Sequence, residues 1–242
     1  MPSPSALALV SVLPLFALSV FAQGQPAVPP AKEAPQAPIG EPDKDPRIDE
    51  EGREVAYWPP DRPFDHQHMR LELSIPDMQS PKLTAVETLR LTPIGTPRAE
   101  LRLSAKKQEI SAVTLLAGGT RTPCTFRAER PDLFVTLPRA IALGETIEVE
   151  IVYSLDFSED KGEGLTWSKG RDSAKSETRR FPQIHSQGES DENSRWFVCH
   201  DFPNDRLTTE LIVNIEDGYE VLSNGTLNEH KVDGGRARWH WV

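Results

Sequence analysis

The 242-residue sequence contains little of what defines several specialised classes of protein. With only two cysteines, Cys124 and Cys199, it cannot be a disulfide-rich scaffold, and we favour two free thiols over the alternative of one disulfide. Lysine and arginine number 27 against 37 aspartates and glutamates, a formal net charge of −10. This balance provides no basic surface for nucleic acid or anionic lipid.

Histidine is also scarce, and its spacing excludes one common zinc site. The six histidines stand at positions 66, 68, 185, 200, 230 and 240, and no two are four residues apart. The helical motif His-Glu-x-x-His, which places two imidazoles on one helix face beside a carboxylate, is therefore absent. His66 and His68 have no third ligand nearby, so we interpret them as hydrogen-bonding or solvated residues.

One long apolar run is present, from Ala6 to Ala22, and it differs from a membrane-spanning helix. It contains Pro14 and is shorter than the ~20 residues that a spanning helix needs. Small residues precede polar Gln23, as at a signal peptidase site. We predict a signal peptide over residues 1–22, export to the periplasm or the exterior, and no other membrane contact. No lysine or arginine precedes the run, so an uncleaved anchor stays the alternative.

Residues 23–60 differ in composition from the rest of the chain. They are rich in proline, alanine and acidic residues and have almost no large apolar side chains. Such a segment buries too little surface to offset its chain entropy, so it is predicted to be a disordered linker.

From residue 61 to residue 242 apolar and polar residues alternate in short runs separated by turn signals. No window keeps a helical period, so the pattern predicts an all-β domain, a twisted β-sandwich. The sequence stops in an alternating run, and we interpret the domain as truncated at its C-terminal end. The predicted strands cover residues 68–75, 83–91, 101–103, 110–116, 133–137, 146–155, 207–215, 219–222 and 236–242, with Asn224-Gly225 as a hairpin turn.

The most specific patterns lie between residues 181 and 225. In order, they are Ser186-Gln187-Gly188-Glu189, Arg195-Trp196-Phe197, the run from Cys199 to Arg206, Thr209-Glu210, and Leu222-Ser223-Asn224-Gly225.

Together these patterns resemble the aminopeptidase N family of zinc metallopeptidases, in its bacterial branch. Upstream, Asp65 and the run from His68 to Leu71 resemble the family's first strand, so the likeness extends over residues 64–242. Ser186 stands where the family usually has threonine, and Val198 where it usually has proline.

The resemblance implies an N-terminal β-sandwich domain that packs on a thermolysin-like catalytic domain, its intramolecular partner. That domain carries a Gly-x-Met-x-Asn strand, a His-Glu-x-x-His helix and a distant glutamate ligand, none of which occurs in this sequence. Zinc is therefore expected in a missing domain. We expect no cofactor, no metal ligands and no catalytic residues in this chain, which is predicted to be inactive alone.

The resemblance also implies that Gln187 and Glu189 bind the N-terminus of a peptide substrate. On a strand, residues two apart share one face, and Gly188 between them leaves the backbone approachable. An ionised glutamate accepts charge-assisted hydrogen bonds from a terminal ammonium, and the glutamine carbonyl accepts another. Without the resemblance, both would be interpreted as ordinary surface residues.

Two other functions remain open at this stage. The first is a non-catalytic scaffold or peptide-binding module of the same fold. The second is an unrelated exported β-sandwich that binds carbohydrate or another protein.

Overall fold

In a computed structural model of the chain, the described residues are 59–159, 162–170 and 181–242. They confirm the all-β prediction. The predicted signal peptide (1–22), nearly all of the predicted linker (23–60) and residues 171–180 lie outside these ranges. The strands are β1 Phe64–Ser74, β2 Lys82–Pro93, β3 Arg98–Ser104, β4 Glu109–Ala117, β5 Thr120–Pro123, β6 Thr125–Glu129, β7 Asp132–Ile141, β8 Ile147–Asp156, β9 Gly164–Ser168, β10 Gln183–Gln187, β11 Thr208–Glu216, β12 Leu227–Asp233 and β13 Arg236–Trp241.

These strands form three sheets. The largest has eight strands in the order β12-β13-β11-β1-β2-β8-β4-β5, and it is mixed because β1 and β11 run parallel. A three-stranded sheet has the order β3-β7-β6, and β9 pairs with β10 in a two-stranded sheet. A single 3₁₀ turn, Asn193–Arg195, connects β10 to the region before β11.

Strict alternation gives the large sheet its apolar face. Along β8, Ile147, Val149, Ile151 and Tyr153 are buried while the residues between them are partly exposed. Buried residues of the three-stranded sheet, among them Leu101 and Val135, belong to the same hydrophobic cluster. One continuous core therefore holds the two sheets together.

A bulge in β1 separates the two histidines that the sequence places close together. Pairing with β2 shifts register between His66 and His68, so the alternation changes phase at Gln67. His66 is buried, whereas His68 lies on the outer face beside Thr208. The hydrogen-bonding interpretation is confirmed for both.

Two local predictions near the end of the chain are wrong. Residues 219–222 form no strand, because β11 already pairs with β1 on one side and β13 on the other. Asn224-Gly225 therefore joins no hairpin. Gly225 instead lies against Val242, whose carbonyl accepts the N–H of Thr226 at 2.7 Å. The hairpin of β12 and β13 turns at Gly234 and Gly235 instead.

Two further observations concern classes of site. Both cysteines are free thiols, and Cys124 is buried. Within the described ranges, no helix has the length and apolar character needed to cross a membrane.

One charged residue lies in the apolar core of the large sheet. Glu87 of β2 is fully buried, and its Oε2 accepts hydrogen bonds of 2.9 Å from the Tyr153 hydroxyl and from the Val198 N–H. Burial raises the pKa of Glu87 from its ordinary value of 4.5 to about 8, although both hydrogen bonds act to lower it. The group is therefore mainly protonated at neutral pH.

This burial predicts a specific pH dependence of stability. Because the pKa of Glu87 is raised on folding, the unfolded chain ionises first as pH increases, and stability falls between pH 5 and pH 8. The fall attributable to this group is on the order of 4 kcal/mol. Glu87→Gln should remove that component. Urea denaturation of both proteins across this range measures it, and equal slopes would contradict the prediction.

Candidate functional site

Gln187 and Glu189 lie at the end of the two-stranded sheet. Gln187 is the last residue of β10 and pairs with Gly164 of β9, whereas Glu189 lies in the turn that follows. The strand alternation expected from the sequence therefore ends at Gln187, and the turn sets the direction of Glu189. Both side chains are exposed.

The loop that carries these residues, 187–195, is called the site loop here. Its acidic residues are not equivalent. Asp191 pairs with Lys106 at 3.2 Å, and Glu192 pairs with Arg195. Glu189 has no ion-pair partner among residues 59–159, 162–170 and 181–242. Among the described residues, no cation therefore balances the charge of Glu189, in contrast to Asp191 and Glu192.

Gly188, the second residue of the site loop, accepts the hydrogen bonds that close its first turn. Its carbonyl accepts the N–H of Glu192 at 3.0 Å and the side-chain amide of Asn193 at 3.4 Å. A Cβ at position 188 would collide with that amide. The sequence suggested that this glycine admits a ligand, but the group that approaches it closely is Asn193.

Close packing against β9 holds the 3₁₀ turn of the site loop. Gly164 has φ +75°, and a Cβ there would lie 2.5 Å from the Glu192 carbonyl oxygen and 2.8 Å from the Cβ of Arg195. Arg195 also pairs with Glu163 at 2.6 Å. The loop and the start of β9 therefore form one packed unit.

Buried hydrogen bonds join the turn to the rest of the domain. The N–H of buried Ser194 donates to Asp201 Oδ2 at 2.9 Å, and its carbonyl accepts the Lys106 N–H at 2.8 Å and Gln108 Nε2 at 3.0 Å. Asp201 therefore has a structural role in this segment. Gln108 was not singled out, because a single glutamine between strands carries no sequence signal.

Asp205 is a second structural residue that sequence reasoning missed. Its Oδ2 accepts hydrogen bonds of 3.0 Å from both the backbone N–H and the ring Nδ1 of His66, and Oδ1 pairs with Arg62. Burial acts to raise the pKa of Asp205, but these bonds and the Arg206 N–H together lower it. Burial lowers the pKa of His66 against the opposing effect of Asp205. Asp205 thus ties the start of β1 to the chain before β11.

An apolar groove of about 250 Å³ lies beside β10. Its walls come from β10, from the inner faces of β1 and β11, and from the segment after β11. Leu222 on that segment is 84% exposed. The lining includes Ile75, Met78, Ile184, Ser186, Trp196, Leu211, Val213, Tyr219, Val221 and Leu222.

Comparison with known proteins identifies the family to which this domain belongs. The Peptidase M1 N-terminal domain family matches residues 65–242, and the chain belongs to this family. It is 26% identical over 191 residues to aminopeptidase B of Rattus norvegicus, covering 70% of this chain and 28% of that protein. The resemblance recognised in the sequence is thereby confirmed.

Solved structures of the same fold are also similar. The M1 zinc metallopeptidase from Deinococcus radiodurans has a TM-score of 0.61 and 21% identity, covering 74% of this chain and 39% of that one. A mutant of it bound to a Tyr-Ser-Ala substrate has a TM-score of 0.60 and 20% identity, with the same two coverages. The chain thus spans between 28% and 39% of the length of these relatives.

Zinc does not fit the described residues. They contain no group of three or more histidine, cysteine, aspartate or glutamate side chains arranged to hold a metal ion. Glu210 lies between His68 and His240, at 3.5 and 3.1 Å, but Arg70 Nε also lies 3.5 Å from its carboxylate. A guanidinium at this position opposes a divalent cation.

The packing at Gly164 predicts a matched pair of variants. Gly95 has φ +76° but no heavy atom within 4 Å of a Cβ, so Gly95→Ala should cost only left-handed strain, about 1–2 kcal/mol. Gly164→Ala should cost about 1–3 kcal/mol more, because the added methyl meets backbone. Urea denaturation measures both. Equal losses would show that the contact between β9 and the site loop is not tight.

Proposed function

We propose that this chain is the part of an exported zinc-dependent aminopeptidase that binds the free N-terminus of the peptide substrate. The observation that carries the proposal is the site loop of an M1 N-terminal domain. It presents exposed Gln187 and Glu189 from a rigidly held turn. Glu189 lacks a compensating cation among the described residues, so its carboxylate is available to a ligand cation.

The chemistry of the two side chains suits an α-ammonium group. Ionised Glu189 accepts charge-assisted hydrogen bonds, and the carbonyl of Gln187 accepts one more. An internal peptide segment has no ammonium, so it would leave the carboxylate unpaired once water is excluded. That penalty, about 1–3 kcal/mol, selects for chain ends.

The remaining functions belong to other residues of this chain and to the rest of a longer protein. Zinc and the water that it activates belong to a catalytic domain, the intramolecular partner of this β-sandwich domain of residues 61–242. Residues 1–22 act as a signal peptide for the periplasm or the exterior, and residues 23–60 act as a linker. This chain alone is inactive.

Sequencing the gene past the codon for Val242 tests the enzyme assignment. The expected result is a continuing frame that encodes Gly-x-Met-x-Asn and then His-Glu-x-x-His. A downstream domain without zinc ligands would overturn the assignment and leave the alternative, a non-catalytic scaffold or peptide-binding module.

Peptide binding tests the role of Glu189 directly. The tripeptide Tyr-Ser-Ala should shift the backbone NMR signals of the site loop saturably, and its N-acetylated form should not. Glu189→Gln should weaken binding about 5- to 100-fold, the ratio expected for the loss of a charged hydrogen-bond acceptor. Glu129→Gln, an exposed change on the three-stranded sheet, is the control. Equal binding of both peptides would refute the amine site.

The apolar groove supports a packing partner for this face, and it predicts self-association of the chain alone. Sedimentation velocity should show a concentration-dependent increase in mass, which Leu222→Asp reduces because it places a charge at the groove. Leu143 is 53% exposed in the turn between β7 and β8, so Leu143→Asp is a matched control and should have no effect. A monomer at every concentration would contradict this role for the groove.

A further inference from the structure

A continuous series of contacts leads from the core of the large sheet to the candidate site. It begins at Glu87, whose Oε2 accepts the Val198 N–H, and at Tyr153, whose hydroxyl lies 3.3 Å from the Trp196 carbonyl oxygen. The N–H groups of Trp196 and Phe197 donate to the Asn193 carbonyl at 3.0 and 3.2 Å.

The same series continues into the site loop. The side-chain amide of Asn193 lies against Gly188 and donates to its carbonyl, which also accepts the Glu192 N–H. Gly188 stands directly between the two residues proposed to bind the amine. A movement of residues 196–198 therefore reaches Gln187 and Glu189 through only one 3₁₀ turn.

We propose that Glu87 is a positioning residue for the site loop, and that loss of its proton shifts residues 196–198, because the charge strengthens the hydrogen bonds at Oε2 and leaves Oε1 without a donor. This deepens the proposed function, since it names a regulator of the same site. The geometry that supports it is the pair of hydrogen bonds at Oε2. Oε1, in contrast, is buried with no hydrogen-bond partner in the described structure. The neutral carboxyl fits this arrangement, because an ionised one would leave charge on an oxygen that no donor reaches.

Of the groups in this contact, Glu87 is the one that titrates near neutral pH, because its neighbours are apolar or stay neutral. From β1, apolar Leu71 lies opposite, and from β8 come Ile151 and Tyr153. Burial and Glu87 raise the pKa of Tyr153 well above its ordinary value. The pKa of Cys199, which follows Val198, is also raised well above its ordinary value. Burial is the largest cause, Asp201 and Glu87 add to it, and Lys106 opposes it. The tyrosine and thiol stay neutral over the range in which burial places the pKa of Glu87, about 8.

An NMR titration of the full chain between pH 6 and pH 9.5 tests the proposal. The Glu87 side-chain carboxyl carbon should titrate with a midpoint near 8. The backbone amide of Gly188 should shift with the same midpoint. A purely local role would move the signals of Trp196 and Val198 and leave Gly188 unchanged, and that result would overturn the proposal.

Two variants separate Glu87 from other titrating groups. In Glu87→Gln the transition of Gly188 near pH 8 should disappear. Tyr153→Phe removes a hydrogen bond that lowers the pKa of Glu87, so the midpoints of the Glu87 carboxyl and of Gly188 should both move to higher pH. If Glu87→Gln does not fold, Tyr153→Phe still decides, since separate midpoints would overturn the proposal. Val135→Ala, a core change in the three-stranded sheet, should leave the midpoint unchanged.

The titration contains no ligand, so it is independent of whether the loop binds peptide. Binding of Tyr-Ser-Ala is measured separately, at pH 6.5 and pH 9, with wild type and Glu87→Gln compared at each pH. This comparison is needed because the peptide amine titrates near pH 8. A common midpoint without any peptide binding would support the positioning role and refute the proposed function. Peptide binding without a common midpoint would support the proposed function and refute the positioning role.

Discussion

The attachment of residues 196–198 to the eight-stranded sheet is the contact on which the candidate site depends. Glu87 and Tyr153 provide it from adjacent strands, in the middle of an otherwise apolar face. A carboxyl group in that position lowers the stability of the folded chain, because burial disfavours its ionised form. In return, it gives a hydrogen-bond acceptor to a backbone N–H that no sheet ladder satisfies. The site loop thus continues directly into a segment that is bonded to the core.

Two further buried polar clusters work in the same way. Asp201 and Gln108 satisfy the backbone of Ser194, and Asp205 satisfies the backbone and ring of His66. The first links the 3₁₀ turn to the segment just before β4, and the second links the chain before β11 to β1. Their shared effect is that the irregular segment between β10 and β11 is hydrogen-bonded to other parts of the domain at Ser194 and at Asp205. Ligand binding at the tip of this segment would therefore cost little loop entropy.

Sequence reasoning predicted the alternating strands well because one side of each faces a core. It failed at residues 219–222, which have the same apolar character. There the neighbouring strand had no free edge, and a single sequence cannot show which edges are occupied. In the sequence, Glu87 lies in phase with Ala85, Leu89 and Leu91, so the alternation itself indicates a carboxyl on the buried face. Its partners are not visible in the pattern, because Val198 lies 111 residues away and contributes only a backbone N–H.

The amino-acid sequence by itself determined the all-β class, the acidic surface and the family, through the ordered motifs between residues 181 and 225. Period-two alternation and short motifs are local properties, so they can be read without coordinates. Only the tertiary structure decided that β10 ends at Gln187, that Gly188 packs on Asn193, and that the Val198 N–H donates to buried Glu87. These features depend on contacts between distant segments, where packing and burial select one geometry from many that the same local sequence allows.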